Sequence, residues 1–127
     1  MFLAPRAADQ VPPKRKDRVA PPPERGRWDV RYADTDAVSG WEDLSRQAPG
    51  PTFDAWEAMS RNPRDRMNAG RQHPLRGELA QRVVAGRTLD QWQYEVPGAG
   101  RVWYCIDDQA HIVCLTAAST GHPKQTE

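Results

Sequence analysis

The side chains of this 127-residue chain that could do chemistry are of two kinds. His122, His73 and Glu95 can move protons, and Arg101, Arg76 and Lys124 can hold an anion. An imidazole titrates near about pH 6.5, so it can take or give a proton at neutrality. A guanidinium presents a planar fork matched to phosphate oxygens. A base, a cation and an acid are together what attack of a neighbouring hydroxyl on a phosphodiester requires. The base removes the hydroxyl proton, the cation stabilises the crowded phosphorus, and the acid protonates the leaving oxygen. Trp103 adds an aromatic face on which a nucleobase could stack. Each group also has a plain structural reading. His122 precedes Pro123 near the end of the sequence, His73 falls in a loop, Lys124 is a solubilising charge, and Arg101 can pair with Glu95 across a hairpin.

Other chemistries find less support. Cys105 and Cys114 sit in strand-like runs, and neither has a second Cys or a His at metal-ligand spacing. They read as reduced packing thiols that could face each other across a hairpin, and no cofactor or metal is expected. No apolar run approaches the roughly 18 residues of a membrane span. The opening MFLAPRAADQ lacks the charged region and apolar core of a secretory signal. The expected place is the cytoplasm, with no membrane partner.

Charge is small in sum, +1, but uneven: seven of the 18 basic residues and three of the 17 acids fall in residues 1–27. The remainder is slightly acidic, so contact with nucleic acid must come from a local patch. The stretch 61–87 supplies a candidate, with seven arginines, Arg76 among them, against Asp65 and Glu78.

The elements that must position these groups follow from periodicity. Residues 1–26 hold six of the 12 prolines and the run Lys14-Arg15-Lys16, and are expected to be a disordered leader. A domain is expected over 27–127. Trp28, Val30 and Tyr32 alternate with Asp29 and Arg31, as in a half-buried strand. Asp34-Thr35-Asp36 starts a helix whose stripe is Ala37, Trp41, Leu44 and Ala48, stopped by Pro49-Gly50-Pro51. Thr52 caps a second helix with the stripe Phe53, Trp56 and Met59, ended at Asn62-Pro63. Residues 63–80 read as loop, with an extended segment from Leu79 to Val84 and a turn at 86–88. Three strands follow, Leu89–Val96, Arg101–Ile106 and His111–Ala117, joined by turns at 97–100 and 107–110. The fold class is therefore α+β: an N-terminal strand, a two-helix hairpin and a C-terminal antiparallel meander. Two short helices cover only one face of such a sheet, which leaves Gln93, Glu95, Arg101, Trp103 and the segment at His122 on an open face. Basic, polar and aromatic groups together there would suit RNA.

These residues resemble the RelE/ParE toxin superfamily. His73-Pro74-Leu75-Arg76-Gly77 is similar to that family's loop before the meander. Trp92-Gln93-Tyr94-Glu95-Val96 and Gly100-Arg101-Val102-Trp103-Tyr104 resemble its paired strands, and Gly121-His122 resembles its terminal signal. The resemblance covers roughly residues 28–127. It implies the toxin of a type II toxin-antitoxin system, a ribosome-dependent, metal-free mRNA endoribonuclease whose partners are mRNA on the ribosome and a cognate antitoxin. It further implies Arg101 on the scissile phosphate, His122 as acid, base or cation, and Arg76 as the basic residue of the loop. Gln93 and Glu95 stand where the best-known members carry paired lysines. Glu95 then serves as the base, or the chain is a non-enzymatic gyrase poison or an inactive RNA- or protein-binding relative. The tyrosine expected after the terminal motif is missing, and the proline-rich leader lies outside the family pattern.

Overall fold

The computed structural model describes residues 13–19 and 26–121. Strand β1 (Asp29–Tyr32) leads into helix α1 (Thr35–Gln47) and helix α2 (Pro49–Arg61). Then come β2 (Gln72–Pro74), a 3-10 turn (Gly77–Leu79), β3 (Gln81–Val84), β4 (Arg87–Val96), β5 (Gly100–Asp107) and β6 (Ile112–Thr120). The six strands form one sheet in the order β1-β6-β5-β4-β2, with β3 also paired to β4. β1 runs parallel to β6, and every other ladder is antiparallel. The α+β class, with two helices and a mostly antiparallel sheet, agrees with expectation. β2 was expected to be loop, because three residues carry too little periodicity to show.

Local chemistry explains the helices. Asp34 is extended and its carboxylate accepts from the Ala37 amide at 3.0 Å, which caps α1. Such a cap is worth about 1 kcal/mol. α2 begins at Pro49, not at Thr52 as expected; proline suits the first turn because its missing amide would have no partner there. The Thr52 hydroxyl instead donates back to the Leu44 carbonyl at 3.0 Å, locking the two helices together. Phe53, expected in the core stripe, is 53% exposed, while Ala55, Trp56 and Met59 are buried.

The core lies between the helices and one sheet face. Trp92, Tyr94 and Val96 of β4, Val102, Tyr104 and Ile106 of β5, and Val113 and Leu115 of β6 meet Trp41, Leu44 and Met59. α1 lies close on β6: a Cβ at Gly40 would stand 1.8 Å from the Ala118 carbonyl oxygen.

The opposite face is not wholly open. The β3–β4 hairpin turns over one end of it, where Arg82 reaches Asp34 at 3.3 Å and Arg87 reaches Asp107 at 2.8 Å. Right-handed twist along the ten residues of β4 brings the hairpin round. Cys105, on that face, is completely buried as a result. The segment 13–19 also differs from a disordered leader. Lys16 donates to the Tyr32 carbonyl at 2.9 Å, Val19 to that of Val30 at 2.8 Å, and Val19 joins the core.

Candidate functional site

Strand register sets the site. Glu95 of β4 stands opposite Arg101 of β5, which stands opposite Ser119 of β6. One step along, His73 of β2, Gln93, Trp103 and Ala117 form the next row. Because side chains alternate across a strand, both rows lie on the face away from the helices. This end of the face is beyond the reach of the β3 ladder, which stops at Asp90.

The polar groups form a chain. The Trp103 indole N–H donates to Gln93 Oε1 at 2.9 Å, and Gln93 Nε2 donates to Glu95 Oε2 at 3.1 Å. Gln93 is only 8% exposed, so the amide is a buried bridge and not the surface group expected. Arg101 is half-buried and makes no hydrogen bond or ion pair among the described residues, so the structural pairing with Glu95 is absent. His73 Nδ1 lies 3.0 Å from the Ala69 carbonyl. A carbonyl only accepts, so Nδ1 donates in this contact and Nε2 is left for a ligand. Arg76 is exposed at the start of the 3-10 turn, without an ion pair among the described residues. His122 and Lys124 lie outside the described residues. The chain just before them is held at Gly121, whose amide donates to the Ala99 carbonyl at 2.7 Å, two residues from Arg101.

Glu95, Arg101, Trp103 and His73 thus share one patch, with Arg76 on the adjoining loop. The wider arginine stretch does not act as a field. Arg61 is paired with Glu57, Arg64 with Asp90 and Asp108, Arg82 with Asp34 and Arg87 with Asp107. Arg66 lies 5.5 Å over the Trp92 ring. Two features were missed in the sequence. One is the bridging role of Gln93, which only register reveals. The other is a second basic cluster on this same face, built by Arg15 and Lys16 beside Arg31; the run Lys14-Arg15-Lys16 was its visible signal.

Burial disfavours the thiolate form of both cysteines. Cys105 stands opposite Cys114, and burial pushes their thiols up to about 12 and about 11. Both are free. His111, at φ 62, stacks on Trp28 with ring centres 4.0 Å apart. No group of three or more His, Cys, Asp or Glu among the described residues could hold a metal ion. No helix there is long and apolar enough to cross a membrane. The chain matches no known family, no curated protein and no solved structure.

Proposed function

We propose that this protein is an RNA-cleaving toxin of the RelE-like kind, acting on mRNA in the ribosome in the cytoplasm and neutralised by a cognate antitoxin. The observation that carries the reading is the Arg101 guanidinium, without an ion pair among the described residues, beside Glu95 and Trp103 on the uncovered end of the sheet. An arginine tied to a carboxylate would have to break that pair to receive a phosphate; among the described residues Arg101 has none to break. In this scheme Arg101 binds the scissile phosphate and stabilises its developing charge. Glu95, fixed by Gln93, takes the 2′-hydroxyl proton. His122 protonates the leaving 5′-oxygen. The Trp103 ring, anchored through its N–H, stacks on a base, while His73, Arg76 and Lys124 hold flanking phosphates. The test is induced expression of wild type and Arg101→Ala with mapping of mRNA ends. Growth arrest and discrete mRNA cuts in the wild type alone are expected. Equal toxicity of the two would sink the proposal.

A second reading is favoured by Gln93. It sits where the resemblance calls for a lysine, is buried and is spent on Trp103 and Glu95, which leaves Arg101 as the one cation of these two rows among the described residues. The chain is then a non-enzymatic gyrase poison or an inactive RNA- or protein-binding relative. Arrest with intact mRNA and a DNA-damage response marks the first; harmless expression without an antitoxin marks the second.

A further inference from the structure

We propose that a pocket on the same sheet face, about 280 Å³ in volume and walled by Arg15, Lys16, Arg31, Val84, Ala85 and Cys114, is a subsite for one nucleotide of a single-stranded RNA. The inference rests on the RNA-cleaving reading and extends it to where the strand runs beyond Arg101. Cys114 pairs with Cys105, four residues along β5 from Arg101. At about 3.3 Å per residue that is roughly 13 Å, with Trp103 between. The β3–β4 hairpin that covers Cys105 also stands between. A strand whose phosphate sits on Arg101 and whose base stacks on Trp103 reaches the pocket by passing over that hairpin, whose Val84 and Ala85 form one pocket wall.

The pocket has the two halves a nucleotide needs. Its cations differ in availability. Arg31 is tied to Asp29 at 2.8 Å, and Arg87 to Asp107 at 2.8 Å. Arg15 and Lys16 have no ion-pair partner among the described residues, so a phosphate meets two unspent charges at the rim. The floor is neutral and apolar, from Ile112, Val84 and the protonated Cys114 thiol, which accepts the flat body of a base.

Two turns build the pocket wall. Lys16 (φ 80) and Ala85 (φ 52) are two of the three non-glycine residues at positive φ among those described, and both line this pocket. Lys16 is fixed on two sides, its amide donating to the Tyr32 carbonyl at 2.9 Å and its carbonyl accepting from Arg31 at 2.8 Å. Both are turn positions, Lys16 in the Lys14–Asp17 turn and Ala85 beside Gly86 in the two-residue turn of the β3–β4 hairpin, so turn geometry accounts for their φ.

The test uses the full chain and a fluorescent, 2′-O-methylated heptanucleotide that cannot be cleaved. Two variants are compared with wild type: Arg15→Ala with Lys16→Asn, since asparagine tolerates positive φ, and Ala85→Asp, which adds a carboxylate to the pocket. Each is expected to bind about tenfold more weakly, and the double variant to lose roughly one to two units of salt slope. Equal affinity and slope in all three proteins would overturn the subsite, whereas mRNA cleavage that still depends on Arg101 would leave the enzymatic reading standing. Displacement of an acidic peptide but not of RNA by these substitutions would also overturn it, making the pocket a protein contact. Loss of both RNA binding and Arg101-dependent cleavage in the wild type would end both.

Discussion

Arg101 and Glu95 face each other directly on neighbouring antiparallel strands and do not pair. Glu95 accepts instead from Gln93 at 3.1 Å, and Arg101 is without a partner among the described residues. A cross-strand ion pair of this kind would be worth about 0.2–1 kcal/mol. Its absence gives a prediction that separates structure from function. Arg101→Ala is expected to change unfolding free energy by less than about 0.5 kcal/mol, as a surface substitution outside any network does. A double-mutant cycle with Glu95→Gln is expected to give coupling indistinguishable from zero in urea denaturation. Coupling near 1 kcal/mol would show that the pair forms in solution and would remove the argument for a free phosphate-binding arginine.

Gly40 supplies a second prediction, with an inverted sign. Glycine to alanine within a helix ordinarily stabilises by about 1 kcal/mol. Here the added methyl would stand 1.8 Å from the Ala118 carbonyl oxygen, a backbone atom that cannot swing aside. α1 would have to lift from β6, opening the core around Leu44 and Leu115. Gly40→Ala is expected to destabilise by about 1–3 kcal/mol, read as a lower urea midpoint. A raised midpoint would mean that the helix sits further from the sheet.

Much of the frame was legible because it is written in periods. The alternation of Trp92, Tyr94 and Val96 against Gln91, Gln93 and Glu95 gives the inward face of β4, and all three of the former reach the core. Gln91 and Gln93 show where that code stops. Polar residues at alternate positions signal the face away from the helices, not its exposure. Gln91 is 3% exposed because its amide donates to the Leu79 carbonyl and it accepts from Thr116, contacts made by residues far away in sequence. Val19 errs the other way. Proline and charge around it read as disorder, yet one valine at the right distance from β1 enters the core. Of the candidate site, the patch of Glu95, Arg101 and Trp103 was readable from strand phase alone. The missing Arg101–Glu95 pair was not, because the competing Gln93 bond depends on side-chain geometry that phase does not carry.

The thiols and phenols set the response to alkali. Burial raises Cys105 to about 12 and Tyr32 to about 12 in the folded state. A group with a raised folded value contributes stability that is complete below its unfolded value and is lost as pH rises through the folded one. Stability is therefore expected to hold to about pH 8 and to fall between about pH 9 and pH 12. The fully buried Cys105 alone accounts for at least about 2 kcal/mol by pH 11. Cys105→Ala should flatten that limb of the stability curve. A curve unchanged across pH 9–11 would show that the thiol is already wet.

Tyr104 ties the arginine-bearing loop to the sheet. Its side chain is fully buried, its hydroxyl donates to the Pro63 carbonyl at 2.8 Å, and it accepts from Gln72 Nε2 at 3.1 Å. Desolvation keeps the proton on the phenol, so the direction of both bonds is fixed across ordinary pH. Phenylalanine at this position keeps the ring packing but removes the short bond to the Pro63 carbonyl, leaving it only the longer contact with Gln72 Nε2 at 3.5 Å, and takes one acceptor from Gln72. The expected loss is about 1–3 kcal/mol, more than for removal of a bond with both ends released to water. The loss should be local before it is global, because Pro63 and Gln72 are the two ends of the segment that carries Arg64, Arg66 and Arg71. Tyr104→Phe is therefore expected to be cut faster by trypsin within 64–71 under native conditions, at a urea concentration where the wild type resists. Unchanged cleavage together with a loss below about 0.5 kcal/mol would mean that the loop is held by Gln72 alone, through its bond to the Asn62 carbonyl at 3.1 Å.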